Sequence, residues 1–172
     1  ERYDLTTKAW EEVAPMAEAR YAHAVAVLEG KLYAVGGYDG GGVLSSVERY
    51  DPATNAWEAV APMARRREGL GVAVLDGKLY AVGGYNGGIL SSVERYDPAT
   101  NAWEEVAPMA AARQAHGVAV LDGKLYAVGG VNDVDDVLSS AERYDPATNA
   151  WEAVAPMGTA RQTHDMAVLD GK

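Results

Sequence analysis

The sequence has no cysteine and no phenylalanine. The first absence removes disulfides, zinc-thiolate and iron–sulfur sites and cysteine nucleophiles together, and it leaves the redox compartment undecided. Positive charge is scarce, since 15 Lys+Arg against 25 Asp+Glu give a formal net charge of -10. An acidic surface repels phosphate backbones and anionic headgroups, so neither nucleic acid nor membrane is an expected partner. No apolar run approaches the roughly 20 residues that span a bilayer. Glu1-Arg2-Tyr3-Asp4 shows no charged-then-apolar signal pattern, and a soluble chain is the expectation. Helical periodicity is missing as well, because glycine or proline interrupts the chain at short intervals. The 172 residues fit one domain able to bury its own core, over residues 1–172.

What is present is a repeat. Glu-Arg-Tyr-Asp begins at Glu1, Glu48, Glu94 and Glu142, with spacings of 47, 46 and 48, and Trp10, Trp57, Trp103 and Trp151 keep the same intervals. The pairs Gly36-Gly37, Gly83-Gly84 and Gly129-Gly130 stay in step. A fixed period of this length decides architecture before any single residue does. Each unit reads as four short strands. Strand one, Ala24 to Leu28, runs into the hairpin signal Glu29-Gly30, and strand two is Leu32 to Val35. Strand three runs from about Val43 to Tyr50, Asp51-Pro52-Ala53-Thr54-Asn55 turns the chain, and strand four is Ala56 to Val60. A four-stranded antiparallel sheet with two apolar faces needs a neighbour on each side, so the units are expected to stack radially, with Tyr50 and Trp57 filling the space between them.

Double glycine, then Tyr50 and Trp57 seven residues apart, in units of 46 to 48 residues, resembles the Kelch repeat. Ser46-Val47-Glu48-Arg49-Tyr50-Asp51 and Val60-Ala61-Pro62-Met63 are most similar to the propellers of Kelch-like substrate adaptors of cullin-based ubiquitin ligases. The resemblance implies an all-β Kelch β-propeller of four-stranded antiparallel blades. It implies a protein or peptide partner held by one loop face, no cofactor and, for a natural chain, a cytoplasmic location; for a synthetic one the location is unknown.

The boundaries read as blade parts at 1–15, blades at about 20–62, 67–108 and 113–156, and a terminal strand at 161–172. That gives three complete blades and a split, incomplete fourth. Three explanations stand side by side: a piece of a longer array, an arc that completes its ring by self-association, and a four-unit ring with one defective blade. Residues 48–63, 94–109 and 142–157 differ only at Ala59, Glu105 and Ala153, which points to a designed, consensus-like or recently amplified sequence.

In a meander, the strand 2–3 and strand 4–1 loops emerge on the same end of the blade, and these are the loops that differ between copies. Diversity confined to one end of a rigid scaffold marks a recognition surface, and unconstrained loops give the same pattern without function. Tyr21, Tyr38, Arg65, Arg66, Glu68, Asn86, Gln114, Asp133, Asp135, Gln162 and Thr163 are the candidate ligand-binding residues. Arg65 and Arg66 occur in one copy only and make a local basic spot suited to a carboxylate. Arg20, Arg67, Arg113 and Arg161 occur in every copy and read as structural blade-to-loop contacts.

His23, His116 and His164 fall at one position in three copies, with Leu70 in the fourth; they read as packing at the start of strand one, with a symmetric transition-metal site as the weaker alternative. Asn132, Asp133, Asp135 and Asp136 form an oxygen-rich loop without the glycine and terminal glutamate of a calcium loop. Gly40-Gly41-Gly42 lacks the Gly-Lys-Ser/Thr and helix of a phosphate loop. No Gly-x-Ser-x-Gly elbow is present, and copper chemistry with a cysteine-modified tyrosine is excluded. A binding scaffold is therefore the expected function, not an enzyme. A designed repeat protein with a structural or self-assembly role and no ligand is the second reading, and a propeller enzyme a distant third.

Overall fold

The computed structural model describes residues 1–134 and 136–171. Strands and loops account for all of them; no helix among the described residues is long and apolar enough to cross a membrane. A leading hairpin pairs β1 (Arg2–Asp4) with β2 (Ala9–Glu11). The first blade is β3 (Ala24–Leu28), β4 (Lys31–Val35), β5 (Val47–Asp51) and β6 (Ala56–Val60). The second is β7 (Gly71–Leu75), β8 (Lys78–Val82), β9 (Val93–Asp97) and β10 (Ala102–Val106). The third is β11 (Gly117–Leu121), β12 (Lys124–Val128), β13 (Ala141–Asp145) and β14 (Ala150–Val154). Within each blade, every strand pairs antiparallel with its sequence neighbours.

Local chemistry sets the turns. Glu29-Gly30 and Asp76-Gly77 hold φ values of 51° and 74°, and 51° and 70°, the pair of positive angles that a tight hairpin with native twist requires. Asp51 accepts the Ala53 amide at 2.9 Å, and Asn55, at φ 50°, accepts the Tyr50 hydroxyl at 2.9 Å. The double glycine is a crossing point. Gly36 and Gly37 sit at φ 61° and 99°, and a Cβ on Gly36 would lie 2.3 Å from the Arg67 carbonyl oxygen of the next unit.

The core lies between sheets. Leu28, Tyr33 and Val35 of the first blade pack with Leu79, Ala81 and Tyr96 of the second; Leu75, Tyr80 and Val82 meet Leu125, Ala127 and Tyr144 of the third. Tyr33 and Tyr96 have ring centroids 5.8 Å apart, and Tyr80 and Tyr144 repeat the distance. Each blade's tryptophan also fastens it to the unit before: the indole nitrogens of Trp57, Trp103 and Trp151 donate to the carbonyls of Ala14, Ala61 and Ala107, each at 2.9 Å. This mutual burial is what makes the sheets a propeller, because each sheet alone would leave both apolar faces in water.

Two details differ from the sequence reading. Strand three starts at Val47, not near Val43, because the carbonyls of Leu44, Ser45 and Ser46 turn aside to accept the amides of Arg67, Met63 and Gly36. Residues 161–171 form no strand, although Asp170 and Gly171 keep the hairpin angles of 51° and 69°; Lys172 lies outside the described residues. Strand one of each blade is held by a second strand, and among the described residues none pairs with 165–169. The two parts of the incomplete unit bond different blades. β1 and β2 lead into Ala14 on the first blade, while Gly130 and Ala115 of the third blade bond Arg161 and Thr163.

A loop face on a buried arginine frame

The variable loops of each blade meet at one end. Tyr21 bridges to Tyr38, Glu68 to Tyr85 and Gln114 to Val131, so every strand 4–1 loop is laced to the strand 2–3 loop of its own blade. Adjacent loops are also joined around the axis: Gly69, Ala115 and Thr163 donate amides to the carbonyls of Ala22, Gly69 and Ala115, each at 2.8 Å. These four positions share the left-handed conformation, at φ 51° for Ala22, 57° for Gly69, 51° for Ala115 and 53° for Thr163. Only the single Gly69 hinted at that series in the sequence.

Beside this series of loop amides sits a buried charge network. The side chains of Arg20, Arg67 and Arg113 are fully enclosed and pair with Glu48, Glu94 and Glu142 at 2.8, 2.9 and 2.8 Å. Each guanidinium also donates to the carbonyl of the first glycine of its blade, Gly36, Gly83 or Gly129. The glutamates accept two loop amides as well, from Ala17 and Glu18, Ala64 and Arg65, or Ala110 and Ala111. Burial pushes the Glu48 carboxyl upward, but hydrogen bonds from Arg20, Ala17 and Glu18 outweigh it and hold the group below its usual value. Burial in turn lowers the Arg67 pKa. Arg20, Arg67 and Arg113 thus clamp the variable loops to the blades, whereas the fourth repeated arginine, Arg161, is exposed and makes no ion pair among the described residues.

On this frame the candidate residues separate. Tyr21, Arg66, Asn86, Asp133 and Gln162 are exposed. Tyr21 stacks on the half-buried Tyr38 with centroids 5.3 Å apart. Arg65 reaches Glu105 at 3.4 Å across the surface, and Arg66 borders a depression of about 380 Å³ whose rim includes Glu18, Asp39, Ser45 and Ser46. Glu68 and Gln114 are half-buried and engaged through their backbones, while Thr163 is the last member of the amide series. Asp133 accepts the Ile89 amide at 2.9 Å, tying the loop of the third blade to that of the second. Asp135 lies outside the described residues. Glu18 and Asp39, which the sequence reading passed over, carry the acidic side of the depression.

The histidines do converge. His23, His116 and His164 line the axial cavity of about 360 Å³ with Leu70, Gly71 and Gly117. No group of three or more His, Asp or Glu side chains among the described residues is placed to hold a metal ion. The histidine side chains lie against glycines: Gly37 beside His23, Gly71 and Gly83 beside His116, and Gly117 and Gly129 beside His164. His116 is buried beside the glycine of the preceding blade, where a Cβ on Gly71 would lie 3.1 Å from its Nε2, and both its ring nitrogens lack protein partners. Burial, then Arg113 and His164, pull its pKa down to about 3.

Comparison with known proteins agrees with this architecture. The Kelch motif matches residues 19–64, 66–110 and 112–158. Human Kelch-like protein 7 is 46% identical over 48 residues, 28% of this chain and 8% of that protein. Kelch-like protein 24 of Rattus norvegicus is 50% identical over 46 residues (27% and 8%), and human Kelch-like protein 5 is 53% identical over 47 (27% and 6%). Each match thus spans under a tenth of the relative's length. The solved structure of YjhT superimposes with a TM-score of 0.79 at 19% identity, over 90% of this chain and 57% of that one, which is a likeness of fold. With three motif matches covering most of its residues, on blades that bury one another through repeated tyrosines, the chain belongs to the Kelch-repeat family.

Proposed function

We infer that the protein is a binding scaffold whose loop face takes a protein or peptide segment. One observation carries this reading: chemically different side chains, Tyr21, Arg66, Asn86 and Asp133, are exposed on loops that an unvarying buried Arg–Glu frame holds in place. A fixed frame keeps the ordering cost of binding low, so contacts made by the loops go into affinity. Membership of the Kelch family and the Kelch-like relatives support a protein partner. Arg66 beside the depression suits an acidic or carboxylate-bearing side chain, with Asp39 and Glu18 selecting against a second one.

The experiment is a screen of a displayed peptide library against the 172-residue chain, followed by titration of the selected peptides. Arg66→Ala is expected to weaken binders at least about tenfold, while Glu152→Ala on the outer strand leaves them unchanged. An empty screen, or binders indifferent to Arg66, Tyr21 and Asn86, rejects the loop face as the site.

A further inference from the structure

The two ends of the blade series carry complementary surfaces that the interior has already joined twice. On the far side of blades one and two, Leu28, Tyr33 and Val35 are 3%, 1% and 0% exposed, and Leu75, Tyr80 and Val82 repeat those values. The same positions on blade three, Leu121, Tyr126 and Val128, are only half-buried. At the opposite end, Val72 and Val74 of blade two pack against Ala24 and Ala26, whereas their counterparts on blade one, Val25 and Val27, are 53% and 62% exposed. Leu169, which occupies the position of Leu28 in the last unit, is 75% exposed.

The ion-pair frame is split in the same way. Arg161 repeats Arg20, Arg67 and Arg113, yet its side chain is exposed and forms no ion pair among the described residues. Glu1 repeats Glu48, Glu94 and Glu142, and is likewise exposed. Tyr3 and Trp10, the counterparts of Tyr144 and Trp151, stack on each other with centroids 5.4 Å apart and remain 45% and 67% exposed.

We propose that copies of this chain associate head to tail, with the β1–β2 hairpin and Val27 face of one copy seated on the third blade and residues 158–169 of the next. In that joint Glu1 accepts from Arg161 and from the amides of Gly158 and Thr159, as Glu48 accepts from Arg20, Ala17 and Glu18. Tyr3 covers Tyr126 as Tyr144 covers Tyr80, and Val27 meets Leu169. The occupants do not compete for space, because 165–169 takes the place of strand one and β1–β2 that of strands three and four. The pairing is heterologous, so it builds arcs into closed rings, the smallest of which holds two copies about a two-fold axis, or into longer series. It does not depend on the loop face binding anything.

The test is the solution mass of the 172-residue chain as a function of concentration. Mass is expected to rise above that of one chain below about 100 μM. Glu1→Arg and Arg161→Glu each weaken association about tenfold or more, and the double variant with both changes restores it. Both side chains are exposed, so at dilutions where every variant is a single chain, unchanged tryptophan fluorescence and melting confirm that it is folded. A single-chain mass at all concentrations overturns the proposal, as does association indifferent to either change or a double variant that stays weak. A single-chain species destabilised by each change and restored by both shows closure within one chain, and also overturns it.

Discussion

Replacing Arg67 by methionine tests the frame under the loops most severely. The side chain is fully enclosed, and its guanidinium donates to Glu94 at 3.2 and 2.9 Å, to the carbonyls of Gly83 and Ser92 at 2.7 and 2.9 Å, and to the Ser92 hydroxyl at 2.9 Å. Methionine fills much of the volume but leaves a buried carboxylate with only the Ala64 and Arg65 amides, and leaves the Gly83 carbonyl short of a donor. Breaking one partner of a buried pair costs about 3–5 kcal/mol, which for a chain of this size is a fall in melting temperature of roughly 6–20 °C. Glu104→Ala is the control: it removes the Arg95–Glu104 pair, whose side chains are 24% and 55% exposed, and is expected to cost about 0–1 kcal/mol. Urea unfolding followed by tryptophan fluorescence reads both. If Arg67→Met costs no more than Glu104→Ala, the arginines do not clamp the loops and the reasoning fails. Adding Glu94→Gln to Arg67→Met recovers part of the loss, because the stranded charge is then gone.

Further outcomes follow from the same structure. His116 is neutral when folded, with a pKa of about 3 against an ordinary 6.5, so between those values the unfolded chain binds one more proton at this site than the native one. Stability from this site is therefore full above about pH 6.5 and is lost on acidification by up to about 1.4 kcal/mol per pH unit. His116→Leu, which copies Leu70 at the same position of the second blade, removes that slope in a series of unfolding curves and leaves neutral-pH stability near the parent value. Gly83→Ala places a Cβ 2.4 Å from the Arg113 carbonyl oxygen at φ 60°, and thermal melts are expected to show a loss of at least about 2 kcal/mol. Gly87→Ala, with nothing near its Cβ but φ 110°, costs less, because only backbone strain is added.

Much of this was legible because a repeat prints its own template. The hairpin glycines, the Asp-Pro-Ala-Thr-Asn turns and the recurring tyrosines and tryptophans placed the strands and the faces that meet, and the differing loops marked one end. The partners of the arginines were not legible. Arg67 and Glu94 lie 27 residues apart, and the glutamate sits inside a tetrapeptide that also supplies a half-buried arginine and a buried tyrosine. Val43 to Ser46 reads as strand by composition, but its carbonyls are claimed by the neighbouring unit. The histidine reading failed to foresee glycine as the partner, because a missing side chain leaves no mark on hydrophobic patterning. Residues 161–171 repeat a strand sequence without the neighbour that would make it one, and pairing, not composition, decides.

The central claim is that identical units are stabilised by what lies beside them. Tyr33, Tyr80 and Tyr126 occupy one position in one Lys-Leu-Tyr-Ala-Val strand, yet the first two are 1% exposed between blades and the third is half-buried at the open end. The decisive measurement is the unfolding free energy of Tyr33→Ala, Tyr80→Ala and Tyr126→Ala in dilute solution. Losses of about 3–5 kcal/mol for the first two, with Tyr126→Ala costing less than half as much, support mutual burial. Equal losses at all three positions contradict it.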